Sequence, residues 1–116
     1  MNTVQVGDTK VGQGHPLVLI AGPCVIESES VVLETADILV DITSRLGIPL
    51  IFKSSYSKAN RSSVEYFRGP GIDEGLRILQ KVRALGLPVL SDVHTTEEVS
   101  QASDGLDMLQ LPAHLS

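Results

Sequence analysis

A basic, hydroxyl-rich segment in the middle of the chain has the composition of an anion-binding site. Residues 53–68 contain four cations and one anion, although the whole chain carries a net charge of −5. The cations are Lys53, Lys58, Arg61 and Arg68. Lysine supplies a compact charge and arginine a planar fork, and neighbouring serine and asparagine side chains add hydrogen bonds, so the set suits phosphate and carboxylate groups. The segment predicts an anion site, with a solvated basic loop as the alternative.

Polar side chains also stand at the ends of four apolar runs. Cys24 follows the first run, Lys53 and Ser55 the second, Asp92 and His94 the third, and Gln110 the fourth. In parallel α/β folds, ligands bind at the carboxyl ends of the strands. The sequence therefore predicts one shared site at this edge, although a solvated loop position is an equally good interpretation of any one residue alone.

Cys24 is the only cysteine, so an intramolecular disulfide is excluded and a reducing compartment, the cytoplasm, is expected. Directly after a strand end, its thiol could act as a ligand or a nucleophile, and a small buried apolar residue is the alternative. One cysteine cannot hold a metal ion alone, and the spacing of Asp92 and His94 is not a recognisable chelate.

The apolar runs that precede these residues predict strands. They span residues 17–21, 48–52, 87–90 and 108–111. The first run does not alternate with polar residues, a pattern typical of a strand buried on both faces of a parallel sheet. Residues 1–16 are polar and rich in glycine, and valines on both sides of Gly7-Asp8 suggest a small hairpin.

Helical periodicity separates the strands. A helix is predicted over about residues 30–46, capped by Ser28 or Ser30 and ended by Gly47. Its apolar face comprises Val32, Ala36, Leu39, Val40 and Leu46. A second helix is predicted over 73–85, with Leu76, Leu79 and Val82 inward. A short third helix follows Thr95, where residues 95–98 fit a capping box.

The predicted order β-α-β-α-β-α-β includes an internal repeat, since residues 46–53 echo residues 85–92. Repeated βα units predict a parallel sheet with right-handed crossovers. The chain has 116 residues. It therefore fits one modest domain and is too short for a whole (β/α)8 barrel of about 250 residues.

Several functions are excluded by composition and motif. The acidic net charge and the lack of an aromatic ladder argue against nucleic acid binding. The sequence has neither an apolar run long enough to cross a membrane nor the pattern of a signal peptide. Phosphate-loop and dinucleotide-binding glycine motifs are absent.

Five motifs together resemble the 3-deoxy-D-manno-octulosonate 8-phosphate synthases. They are AGPCVIES at 21–28, FKSSYSKANRSS at 52–63, FRGPG at 67–71, SDVH at 91–94 and LQLPA at 109–113. The resemblance runs from about Leu17 to the end. The stretch at 58–63 distinguishes these enzymes from the related 3-deoxy-D-arabino-heptulosonate 7-phosphate synthases, whose loop resembles Lys-Pro-Arg-Thr.

The resemblance implies a TIM (β/α)8 barrel, of which residues 17–116 would form the first half, with about four parallel strands and three helices after the segment 1–16. It implies a transferase that condenses phosphoenolpyruvate with D-arabinose 5-phosphate and water, releasing phosphate, in lipopolysaccharide biosynthesis. Full-length members are homotetramers. Little or no turnover is expected of the 116 residues alone, because catalysis by positioning needs the missing groups. A non-catalytic half-barrel fragment, or an aldolase or heptulosonate synthase on the same fold, is the alternative.

The resemblance also assigns roles to residues. Lys53 and Lys58 would be the cations beside phosphoenolpyruvate, with Ser55 and Gln110 orienting that substrate. Asn60, Arg61 and Ser62 would hold the arabinose 5-phosphate, and Asp92 would lie at the floor of the site. Cys24 stands where metal-independent members carry asparagine, so it implies a divalent metal ion whose other ligands come from later strands.

Overall fold

The computed structural model of the chain describes residues 2–57 and 69–113. Its strands are β1 (Val4–Val6), β2 (Thr9–Val11), β3 (Leu19–Ala21), β4 (Leu50–Lys53), β5 (Val89–Asp92) and β6 (Met108–Gln110). Its helices are α1 (Glu29–Leu46), α2 (Ile72–Arg83) and α3 (Glu98–Gly105). None of the described helices combines the length and the apolar character that a membrane crossing needs.

Four of the strands form one parallel sheet in the order β3-β4-β5-β6. Each strand pairs with its successor because the intervening segment returns the chain to the same end of the sheet. The predicted alternation of strands and helices is therefore confirmed, and the fold is α/β. Four parallel strands with three helices are consistent with part of a (β/α)8 barrel.

Helix α1 begins and ends where the sequence predicts. The Ser28 hydroxyl accepts a hydrogen bond from the Val31 amide at 3.2 Å, and Gly47 ends the helix in the left-handed conformation at φ 69°. The placement of Leu46 on the buried face was wrong, since it is 65% exposed. At 3.6 residues per turn Leu46 lies about 80° around the axis from Ala36, whereas the buried Thr43 lies about 20° away.

The main core lies between the helices and one face of the sheet. Leu76, Leu79 and Val82 of α2 are buried there, as predicted, together with Phe52 and Val89 of the strands. Helix α2 ends at Arg83, two residues before its predicted end, and Leu85 is exposed. The helices therefore pack against one face of β4 and β5. Because successive side chains of a strand point to opposite faces, the alternate residues of β4 and β5 lie on the face away from the helices.

The prediction that the first strand is buried on both faces was wrong. Leu19 and Ile20 of β3 are exposed, and the preceding Leu17 is 85% exposed. Strand β3 is an edge strand, and α1 packs against β4 and α2. In the described part of the chain β3 pairs only with β4, and Leu19 and Ile20 keep 38% and 46% of their surface exposed.

The predicted hairpin is present, and it lies away from the predicted site. Strands β1 and β2 are antiparallel, and Val6 packs on Ile51 and Leu90. The turn residue Gly7 lies against Pro88, which precedes β5. The hairpin thus contacts the amino end of the sheet, where a cavity of about 570 Å³ with an apolar lining separates it from β3.

Candidate active site

Lys53, Asp92 and Gln110 lie on one face of the sheet, at its carboxyl end. Lys53 pairs in register with Leu90, two residues before Asp92, and Asp92 pairs with Gln110. Paired residues of neighbouring strands share a face, as do residues two apart along a strand. This face is the one opposite the helices, so the three polar side chains point toward the concave side that a barrel would enclose.

Lys53 is half-buried and lines a small pocket of about 160 Å³. The other lining residues are Ile20, Ala21, Gly22, Pro23 and Cys24. None of the carboxylates in residues 2–57 and 69–113 forms an ion pair with the Lys53 ammonium group. A cation that pairs with no carboxylate in this part of the chain, held at the carboxyl end of a parallel sheet, is suited to an anionic ligand.

Gly22 brings Cys24 next to Lys53. A Cβ atom at position 22 would lie 1.9 Å from the Lys53 carbonyl oxygen, so the two backbones approach as closely as only glycine allows. Beyond this contact the Ser55 amide donates to the Cys24 carbonyl at 3.3 Å. The Ser54 hydroxyl donates to the Pro23 carbonyl at 2.7 Å. These bonds extend the pairing of β3 and β4 past the strand ends.

Asp92, His94 and Ser55 form a second polar group beside this pocket. The His94 Nε2 atom lies 3.3 Å from the Ser55 hydroxyl and 3.6 Å from Asp92 Oδ1. The side chains of His94 and Asp92 are only 8% and 14% exposed. The Ser55 hydroxyl donates to the Ser57 carbonyl, so this serine is already engaged in holding the loop after β4. The substrate role expected of Ser55 remains a prediction.

Tyr56 and Glu98 lie in this region but were not among the predicted site residues. Tyr56 is fully buried, and its hydroxyl donates to Glu98 Oε1 at 2.8 Å. Its ring meets the His94 ring edge-on, with centroids 5.1 Å apart. Burial, reinforced by the Glu98 carboxylate, raises the pKa of the Tyr56 phenol, so the phenol keeps its proton and acts as a donor. A lone aromatic residue within a polar run was the available signal for Tyr56.

The remaining predicted substrate residues, Lys58, Asn60, Arg61 and Ser62, lie outside the described residues. Their placement therefore stays a prediction. Gln110, in contrast, is described and exposed, and its backbone carbonyl accepts a hydrogen bond from the Val93 amide at 3.1 Å. The Gln110 side chain is therefore available at the edge of the site.

The described residues alone do not form a complete metal site. Cys24 is exposed, and its thiol is a competent ligand type for a transition metal. Within residues 2–57 and 69–113, however, no three His, Cys, Asp or Glu side chains are grouped so that they could hold a metal ion. Cys24 could supply one ligand of a site whose other ligands lie elsewhere.

Comparison with known proteins gives a consistent result. The model of the DAHP synthetase I family matches residues 2–116. A 2-dehydro-3-deoxyphosphooctonate aldolase of Trichlorobacter lovleyi is 60% identical over 113 residues, covering 97% of this chain and 42% of the relative. The protein of that name from Acidithiobacillus ferrooxidans is 61% identical over 107 residues, covering 91% of this chain and 38% of the relative.

The chain thus spans about two fifths of the length of the curated relatives it matches. The family match nevertheless covers almost every residue of the chain, and the observed parallel sheet agrees with it. This chain belongs to the DAHP synthetase I family.

Proposed function

We propose that this chain is part of a 3-deoxy-D-manno-octulosonate 8-phosphate synthase. Such an enzyme joins phosphoenolpyruvate to D-arabinose 5-phosphate with the uptake of water and the release of phosphate. The observation that carries the proposal is the half-buried Lys53. It has no carboxylate partner among the described residues and lies on the same face as Asp92 and Gln110. The aldolase name of the relatives supports the same reaction.

Electrostatics account for the proposed division of roles. Two phosphorylated substrates repel each other strongly when they lie side by side in a site that excludes water. We assign Lys53 and Lys58 to the phosphoenolpyruvate, with Gln110 and Ser55 orienting it. Asn60, Arg61 and Ser62 would then bind the sugar phosphate, and Asp92 would lie at the floor of the site as a hydrogen-bond acceptor for the sugar or a lysine.

The substrate proposal is tested by phosphate release in the whole encoded protein. Phosphoenolpyruvate with arabinose 5-phosphate is expected to give turnover, and erythrose 4-phosphate in its place is expected to give little. Preference for erythrose 4-phosphate would instead identify a heptulosonate synthase. The 116 residues expressed alone are expected to be inactive, because most of the positioning groups would be missing. Turnover by the 116 residues alone would contradict this expectation.

We propose further that Cys24 supplies one ligand of a divalent metal ion and that the other ligands lie outside this chain. Such an ion would orient a polar group of the substrate as a Lewis acid. Replacement of Cys24 by asparagine or serine is expected to remove metal that copurifies with the whole encoded protein, because one strong thiolate ligand is lost. Elemental analysis of the purified variants measures this, and metal content equal to that of the unaltered protein would contradict the assignment.

The remaining expectations concern the setting of the enzyme. The proposed product belongs to lipopolysaccharide biosynthesis, and we propose a cytoplasmic location and a homotetramer for the whole protein. We also propose that the protein binds neither nucleic acid nor a membrane, in keeping with a chain that carries five more acidic than basic side chains.

A further inference from the structure

Glu98 makes contacts that its predicted role does not require. As the last residue of a capping box, its carboxylate would return to the backbone at Thr95. Instead, Glu98 Oε1 accepts from the Tyr56 hydroxyl at 2.8 Å and from the His94 amide at 3.3 Å. At the start of α3 the Thr95 hydroxyl accepts from the Glu98 amide at 3.3 Å, as the other half of a capping box would. The carboxylate is therefore directed at the residues next to the site.

The partner of Glu98 is itself held rigidly. Tyr56 is fully buried, and a Cβ atom at position 75 would lie 2.3 Å from the Tyr56 Cβ atom. Helix α2 thus packs directly against Tyr56 through Gly75. The hydrogen bond to Glu98 prevents the Tyr56 ring from changing its orientation. The ring therefore keeps its edge-on contact with the His94 imidazole, at an interplanar angle of 82°.

The hydrogen bonds on the other side of His94 determine which ring nitrogen carries the proton. The single hydroxyl hydrogen of Ser55 is donated to the Ser57 carbonyl. At the 3.3 Å contact with His94 Nε2, the Ser55 oxygen must therefore accept. In a neutral ring this contact assigns the proton to Nε2, with Asp92 Oδ1 3.6 Å away, and leaves the lone pair on Nδ1, which is buried and has no hydrogen-bond partner among the described residues.

We infer that Glu98 is a positioning residue, which acts through the Tyr56 hydroxyl and the His94 backbone amide to hold the His94 Nε2–H toward Ser55 and Asp92. The His94 imidazole contacts the Tyr56 ring on one side and the Ser55 and Asp92 oxygens on the other. Without the carboxylate, Tyr56 keeps an unpaired buried hydroxyl and the His94 amide loses its acceptor, so the ring is free to rotate or to change tautomer. The role in catalysis rests on the proposed function, whereas the ring state does not.

The experiment compares Glu98→Ala with Glu98→Gln, and uses Glu97→Ala at the exposed neighbouring position as a matched control. The whole encoded protein is labelled with 15N-histidine, and a His94→Gln variant identifies the His94 signals. Long-range 1H–15N spectra distinguish the two tautomers. The unaltered protein, Glu98→Gln and Glu97→Ala are expected to show the Nε2–H form, because a glutamine oxygen can accept both hydrogen bonds. Glu98→Ala is expected to show a mixture.

A His94 spectrum in Glu98→Ala identical to that of the unaltered protein would overturn the inference. If Glu98→Ala does not fold, Tyr56→Phe decides, since it removes only the hydroxyl. It is expected to change the His94 spectrum, and an unchanged spectrum would overturn the inference. With active protein, Glu98→Ala is expected to lower kcat up to about 100-fold with little change in KM. Failure of the proposed substrates would leave the spectroscopic test intact.

Discussion

Replacement of Gly22 by alanine is expected to destabilise the protein by about 3 kcal/mol, the upper end of the usual cost of overpacking. The added Cβ atom would lie 1.9 Å from the Lys53 carbonyl oxygen and 2.9 Å from its carbonyl carbon. Both are backbone atoms of a central strand, so neither can move aside as a flexible side chain would. The edge strand β3 must separate from β4 at the end that carries Cys24 and Lys53. Urea unfolding followed by circular dichroism measures the loss.

Gly105→Ala provides the matched control for this prediction. At Gly105 a Cβ atom would meet only side-chain atoms of Gln80 and Leu76, at 3.3 Å or more. Its free energy of unfolding is expected to stay within about 1 kcal/mol of that of the unaltered protein, since alanine also favours the helix. If Gly22→Ala unfolds at the same urea concentration as Gly105→Ala, the two strand ends are not in the close contact described.

Replacement of Lys53 by alanine is expected to lower kcat/KM of the proposed condensation by about 100-fold or more, as the loss of a preorganised charge in a water-poor site does. The Lys53 ammonium group has no carboxylate partner among the described residues, so none of their carboxylates neutralises its charge before an anion arrives. Lys53→Arg keeps the charge and changes its shape, and an intermediate loss is expected. Steady-state phosphate release measures all three proteins.

The control for Lys53 is Lys10→Ala. Lys10 is an exposed lysine of β2 in the hairpin, which contacts the amino end of the sheet. Its loss removes the same net charge without touching the candidate site, so its activity is expected to match that of the unaltered protein. Equal activity of Lys53→Ala and Lys10→Ala would show that Lys53 does not bind a reacting group.

The sequence predicted the elements well where local chemistry determines them. Ser28 and Gly47 delimit α1 through a hydroxyl cap and a left-handed residue, and both signals depend only on near neighbours. The apolar spacing of α2 likewise identified its buried side chains. The same reasoning placed Lys53, Asp92 and Gln110 at the carboxyl end of the sheet, because the direction of parallel strands fixes which loops meet.

Features that depend on contacts distant in sequence could not be predicted in this way. The exposure of β3 depends on which elements cover it, and an apolar run carries no information about its neighbours. Glu98 fitted a local capping pattern, yet its carboxylate bonds to Tyr56, 42 residues earlier in the chain. His94 stood at the predicted edge, but only the structure reveals its contacts with Ser55 and Tyr56.

The bond between Tyr56 and Glu98 has a consequence for exchanging parts of this chain with those of a homologue. The repeat at residues 46–53 and 85–92 suggests βα units that could be exchanged independently of one another. However, Tyr56 follows one repeat and Glu98 follows the other, and Gly75 of the helix between them fits against Tyr56. A chimera that joins two parents between residues 56 and 98 would separate these partners. Crossover points before Tyr56 or after Glu98 would keep them together.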